Sequence, residues 1–430
     1  VAEEPYRAPL NLDRIVTESL VRFFYGRLND GQVDPRVARA SAEKVWEGVL
    51  KGWGNTRQAN YGTPEQRVLI NLRYNVHVAE VFKNHQFGRQ LVRLMFDETG
   101  KRRSFSEFKR EALLVSNKYN KQWLEAEYNT AIGTARMASK WQGFKRRFTE
   151  NGNRGYLKYH TQRDDRVRKQ HLALEGTTLP VDDPFWSTYY PPNGWRCRCF
   201  VTWAGTEADM VPPQQLEEIP AMFKNNAGET GEVFTGENPM FTVDGAFTEA
   251  AQKLFGYKPP VDPQKFARNL EQYEQLIEDR NYKLRHTDNL SGGFVFVHNK
   301  ADKVGLTDNI KAARKLSTQL GDGVVIREHL GTGRNPEFEI NGITSDLKTP
   351  AGKESGIKYR FRSARKQGLD NLVLELDGYS IEAATEGLKR GFRNHSVNEV
   401  RVIFSGKVVM VTRADYEKGI IEQLIREGLK

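Results

Sequence analysis

At 430 residues the chain is too long for one ordinary hydrophobic core, so two or three domains are expected. With 38% hydrophobic and 28% charged residues it reads as soluble and globular. No apolar run approaches membrane-spanning length, and the start VAEEPYRAPL lacks a secretory signal, so no membrane partner is expected. Two cysteines exclude a disulfide framework and suit a reducing cytoplasm, while a net charge of +10 hints at anionic partners.

In chain order, residues 11–50 read as two amphipathic helices separated by Asp30-Gly31. A third is expected at about 64–84, with Thr63 as cap and Pro64 in the first turn. Ser104 opens another helix, and a long one is expected at 116–148, ending in Lys145-Arg146-Arg147. That basic end complements the helix C-terminus more readily than it binds DNA.

A compact α+β unit follows at 151–205. It holds both cysteines, Cys197 and Cys199, two residues apart after a Pro191-Pro192-Asn193-Gly194 turn. If Cys197 and Cys199 lie in a strand, both thiols point the same way. With His171 just upstream they supply three ligands for a tetrahedral zinc ion. Two packed, reduced thiols are the alternative. Asp182, Asp183 and Glu175 read as turn and loop acids, since no second base or nucleophile accompanies them.

Thr161, Asp164, Arg166-Val167, His171, Leu174, Gly176, Asp182-Asp183, Pro191-Pro192-Asn193-Gly194 and Cys197-Arg198-Cys199 resemble, in order and spacing, the phage head morphogenesis family. These are minor head proteins similar to phage Mu protein F. The resemblance covers roughly the first half of the chain. It implies phage portal and capsid proteins as partners and the virion head as location. Many relatives carry Cys-x-x-Cys where this chain has Arg168-Lys169-Gln170-His171, so here only His171 keeps a ligand of that pair.

From 206 to 260, prolines, glycines and asparagines interrupt every periodicity. This stretch reads as a linker with a short helix at 247–255. The last region, 261–430, alternates helices and strands and reads as an α/β (α+β) domain. Asn341-Gly342 between two short runs is a type I′ hairpin signal. The hairpin puts Asp346 and Lys348 on one strand face, after the acids Glu337 and Glu339. Carboxylates there can hold Mg²⁺, and the lysine can polarise a phosphate. That is the arrangement of PD-(D/E)xK nucleases, with Glu337 in place of their first acid. Lys353, Lys358, Arg360, Arg362 and Lys366 follow as a cationic stretch able to neutralise phosphates, or as a solvated helix face.

Residues 300–415 also resemble the C-terminal nuclease toxins of contact-dependent inhibition systems, with tRNases of the barnase-like superfamily as the nearer match. The resemblance singles out Asp346, Lys348, Arg365 and Gln367, and it implies a cognate immunity protein and tRNA or other RNA as substrate, with DNA second. A barnase-like mechanism needs no metal and makes His329 the candidate base.

The expected protein is therefore multidomain. A mostly α-helical region (1–150) leads into the small α+β head-morphogenesis unit (151–205). The linker (206–260) then joins a nuclease-like domain (261–430). The expected function is a prophage minor head protein carrying a polymorphic-toxin nuclease, acting in the virion and the host bacterial cytoplasm. The alternative is a purely structural capsid or portal-associated protein whose last domain is inactive or only binds DNA.

Overall fold

Side-chain caps set where the first helices begin. Asp34 accepts from Arg36 N ahead of Pro35, Thr63 accepts from Gln66 N ahead of Pro64, and Ser104 forms a reciprocal box with Glu107. In the computed structural model, which describes residues 6–9, 11–54, 56, 59–242, 259–331, 336–350 and 354–429, the chain forms two units, Val1–Pro259 and Pro260–Lys430. The first contains α1 (Leu12–Phe24), α2 (Pro35–Trp53), α3 (Pro64–Arg93), α4 (Phe105–Asn117) and α5 (Leu124–Glu150). A π-helical turn, Lys118–Trp123, joins α4 to α5. Helix α3 runs nine residues past the expected end at 84. Its second half carries a buried Glu80–Lys83–Glu127 ion triad, with Lys83 Nζ 2.7 Å from Glu80 and 2.5 Å from Glu127, so polar residues there face inward.

Three antiparallel strands follow α5: β1 (Tyr156–His160), β2 (Thr178–Pro180) and β3 (Phe200–Gly205), in the order β2-β1-β3. Their core joins Leu157, Tyr159, Leu174, Trp186, Tyr190 and Val201 to Met137 and Trp141 of α5.

The stretch expected as a linker does not behave as one over its described part. Ile219, Phe223, Val233, Phe234, Met240 and Phe241 are buried. The Asn75 carboxamide of α3 bonds the backbone of Val233 and Phe234, and Gln142 of α5 donates to Gly228 O at 2.5 Å. Polar side chains of the long helices thus satisfy a chain that has no periodicity of its own. The helix expected at 247–255 lies outside the described residues.

The second unit is an eight-stranded mixed sheet in the order β11-β10-β9-β8-β7-β6-β5-β4. The strands are β4 (Tyr282–Thr287), β5 (Phe294–His298), β6 (Gly323–Ile326), β7 (Phe338–Ile340), β8 (Ile343–Lys348), β9 (Asn371–Glu375), β10 (Glu399–Phe404) and β11 (Lys407–Thr412). Alternation along β9 sends Val373 to a core with Ala312, Ala313 and Leu316 of the helix Leu306–Leu320. Leu372 and Leu374 go to the opposite core, with Ile357, Phe361, Leu388, Phe392 and Ile425. The β7–β8 turn has φ of 51° at Asn341 and 81° at Gly342, as a type I′ turn requires. Asn341 is also tied down at long range: its side chain donates to Asp322 and accepts from Gly323 N. Asp322 is fully buried between Lys265 (2.5 Å) and Arg401 (2.7 Å). Burial pushes its carboxyl up, but the charges of Arg401 and Lys265 win and hold it well below the usual carboxylate range.

No described helix of either unit is long and apolar enough to cross a membrane.

Candidate functional site

In the first unit, His171 sits on the one-turn helix Lys169–Leu172, and the cysteines lie in the segment leading into β3. That segment is irregular, so the expected strand alternation is not what aligns the thiols. They converge nonetheless, with Cys197 Sγ 3.5 Å and Cys199 Sγ 3.6 Å from His171 Nδ1. All three donor atoms lie within 4.8 Å of one another, and all three residues are buried. A bond from Cys199 is the main cause holding the Cys197 thiol well below its ordinary range. Burial opposes that shift and His171 assists it. Cys199 is pushed up in turn, first by Cys197 and then by burial.

Tyr159, buried beside the thiols, donates to Asn193 Oδ1 at 2.7 Å and so anchors the proline turn. Asp164 holds Arg198 through two bonds of 2.6 and 2.7 Å, and that contact pulls its carboxyl down to about 2. Arg168 donates to Trp195 O at 2.7 Å. Both cysteines also border a cleft of about 1400 Å³ lined by Trp123, Glu127, Arg136 and Lys140 among others.

In the second unit, β8 lies between β7 and β9. Its parallel register sets Asp346 beside Leu372 and Lys348 beside Leu374. Asp346 and Lys348 share one face, with Lys348 Nζ 2.5 Å from Asp346 Oδ2. Asp346 is only 1% exposed. Apart from that ammonium, no hydrogen-bond donor among the described residues reaches either of its carboxylate oxygens. Glu337 comes opposite Asp346, one step beyond the Phe338–Ser345 pair. Its carboxylate accepts from Asn309 Nδ2 at 2.9 Å. Burial raises the Glu337 carboxyl; the Asn309 bond opposes this and the Asp346 charge adds to it. Glu337, Asp346 and Lys348 thus form one cluster, with Asn309 as a member that local sequence did not signal. Only the tertiary packing of the helix Leu306–Leu320 brings Asn309 there.

The remaining candidates fall elsewhere. Glu339 pairs with Thr344 on the ladder and accepts from Gln272 at 2.8 Å. His329 is exposed, with Nδ1 3.8 Å from Asp302 Oδ2. On the helix Glu354–Lys366, Ile357, Phe361 and Ala364 face the core, while Lys358, Arg362, Arg365 and Lys366 are exposed. Arg360 is half-buried and donates to Thr349 O at 3.4 Å. Gln367 follows the helix, and its side-chain oxygen is buried with no donor among the described residues. Lys353 lies outside the described residues.

Two segments of the chain match known families. Residues 98–202 match the model for Phage Mu protein F like protein. Residues 334–408 match that for the contact-dependent growth inhibition CdiA C-terminal domain. Among curated proteins, the chain is similar to the Mu-like prophage FluMu F protein of Haemophilus influenzae. They are 52% identical over 46 residues, which is 11% of each chain. It is also similar to the putative capsid assembly protein F of Escherichia phage Mu, at 32% identity over 137 residues, or 30% of each. The matches span less than a third of these relatives' lengths. Among solved structures, a CdiA-CT/CdiI toxin and immunity complex from Burkholderia pseudomallei is 21% identical. That match covers 26% of this chain and 89% of the other, with a TM-score of 0.21. Both resemblances visible in the sequence are thus found again, at 98–202 and 334–408. The first is narrower than the half-chain expected.

Proposed function

We propose that this chain couples a phage head component to a metal-dependent nuclease effector. The observation that carries the effector half is the Glu337–Asp346–Lys348 cluster, inside the segment similar to CdiA C-terminal domains. Beyond the Lys348 ammonium, no donor among the described residues uses the Asp346 oxygen lone pairs, in a buried position where charge is costly. A hard divalent cation such as Mg²⁺ suits that donor set, with Glu337 and Asp346 as its holders. When bound, the ion supplies Lewis-acid polarisation of the phosphoryl oxygen and a more acidic water. Lys348 places a positive charge where negative charge builds up on the phosphorus oxygens in the transition state. Asn309 orients Glu337. Exposed Lys358, Arg362 and Arg365 offer cations to neighbouring phosphates, which favours a nucleic acid over a small phosphoester. A metal-independent mechanism through His329 has less support, since that side chain is exposed and lies 3.8 Å from the Asp302 carboxylate.

For the first unit, the segment similar to Mu F proteins supports a role in the phage head, with portal and capsid subunits as partners and the virion as location. Tyr25, Phe96, Leu113, Leu114 and Trp123 are exposed there and suit such docking. The His171–Cys197–Cys199 cluster fits zinc. Tetrahedral geometry with ordinary Zn–N and Zn–S lengths asks for an N···S separation of about 3.5 Å, close to both observed separations. No fourth His, Cys, Asp or Glu joins the group among the described residues, so water or a ligand would complete the shell. The toxin reading carries with it a cognate immunity protein and action in the host cytoplasm.

The test is to incubate the purified chain with tRNA and with plasmid DNA, with Mg²⁺ or with EDTA. Cleavage of tRNA that EDTA stops is expected; metal-independent cleavage, or none of either substrate, contradicts the proposal.

A further inference from the structure

Next to the β8 cluster, the helix pair Glu354–Lys366 and Ile381–Asn394 carries cations that no acid compensates. Lys358, Arg362 and Arg365 are exposed, and spacings of four and three residues place them on one stripe. None of them has an ion-pair partner among the described residues, and the helix's one acid, Glu354, is taken by Arg390 at 3.1 Å. Arg360 is off this stripe.

The stripe borders His395, the residue that ends the second helix. Both His395 ring nitrogens are buried, and neither has a hydrogen-bond partner among the described residues. Burial and the charges of Arg365, Lys358 and Arg362 all act on the ring in one direction, against protonation, and no acid opposes them. The arrangement is held by the core. Phe361 packs edge-on against Phe392, with centroids 5.1 Å apart. Gly391 gives Phe361 its room, since a Cβ there would come within 2.5 Å of that ring. Arg413 fixes the backbone at this point by donating to the carbonyls of Phe392, His395 and Val397.

An imidazole with two unused nitrogens beside three unpaired cations is an unfavourable combination that an anion would relieve. Arginine forks suit phosphate oxygens in particular, and a neutral imidazole still donates one N–H. We propose that Lys358, Arg362, Arg365 and His395 form a phosphate-binding subsite that grips a backbone phosphodiester other than the one cleaved at Asp346. This rests on the nuclease reading and narrows its substrate to a polynucleotide long enough to reach both places.

The experiment uses the full chain carrying Lys348→Ala, so that binding is read without turnover. Fluorescein-labelled bulk tRNA and a labelled single-stranded DNA of equal length are the probes, followed by fluorescence anisotropy across a salt series. Adding Arg362→Ala with Arg365→Ala is expected to weaken tRNA binding about tenfold or more at low salt. It also lowers the salt slope by about 1.5. Adding His395→Asn is expected to weaken binding roughly three- to tenfold with little change in slope, because a neutral donor is lost. Lys311→Ala removes a cation already paired with Asp308 and serves as the control that changes neither. Equal losses on both probes support a subsite for the shared backbone, and losses confined to tRNA support it with RNA as the source. Unchanged affinity and slope in folded variants overturn the subsite and leave the nuclease reading standing. If Lys348→Ala still cleaves tRNA, the nuclease reading falls, and the binding results are then judged separately.

Discussion

In the first unit the chemically distinctive side chains come from irregular backbone. His171 stands on a one-turn helix and the two cysteines precede β3, nested among Leu174, Trp186 and Tyr190. In the second unit Asp346 and Lys348 come from a strand hydrogen-bonded on both sides, and Glu337 from the residue just before its neighbour β7. Soft nitrogen and sulfur donors buried where secondary structure is sparse suit an ion that holds loops together. Hard oxygens beside a lysine, on rigid strands, suit an ion that takes part in chemistry. The contrast teaches that the two candidate metal sites should fail in different ways: one by loss of fold, the other by loss of activity.

The largest expected effect is catalytic. Lys348→Ala should lower tRNA cleavage by about a hundredfold or more, measured under single turnover. It should also cost stability. Asp346 is buried, and its one ammonium partner would be gone, at a cost of about 1–3 kcal/mol in a denaturant titration. A variant that cleaves normally would remove the distinction between the two sites.

For the first unit, metal analysis should find one zinc per chain, and chelation should unfold the 156–205 region, seen as a lost thermal transition. Metal-free protein that melts unchanged in chelator would leave the cluster as packed thiols. Cys197→Ser would then cost only about 1–3 kcal/mol.

The Asp322 network sharpens the comparison by showing what a purely structural charge cluster does. Asp322→Asn should destabilise the second unit by about 3–5 kcal/mol, because Arg401 is left buried without its main partner. The Asp322 carboxyl is depressed in the folded state, so its contribution is full above the unfolded value of about 3.9 and fades as pH falls below it. Acid melts of wild type and variant should therefore begin to approach each other only as pH falls below ~4. The smallest effect is at the α4 cap: Ser104→Ala should cost about 1 kcal/mol and alter neither site.

What local sequence could show was local physics. Caps at Asp34, Thr63 and Ser104, the Asn341-Gly342 turn, and the shared face of Asp346 and Lys348 all depend on residues a few positions apart. The rest depends on contacts across long separations. Nothing near 219–241 announces that Asn75 and Gln142 will satisfy its backbone. Nothing near Glu337 announces Asn309, and nothing in the Asp-x-Lys spacing says that Asp346 is almost wholly buried. The thiols meet His171 through a fold of irregular chain, so strand periodicity named the right cysteines for a reason the structure does not use.

In the proposed nuclease, Asp346 is the buried carboxylate on which divalent-metal cleavage depends. Single-turnover cleavage of labelled tRNA at saturating Mg²⁺, comparing wild type with Asp346→Asn, tests it most directly. A loss of at least about a hundredfold in a folded variant is expected. Cleavage by Asp346→Asn at the wild-type rate would contradict it.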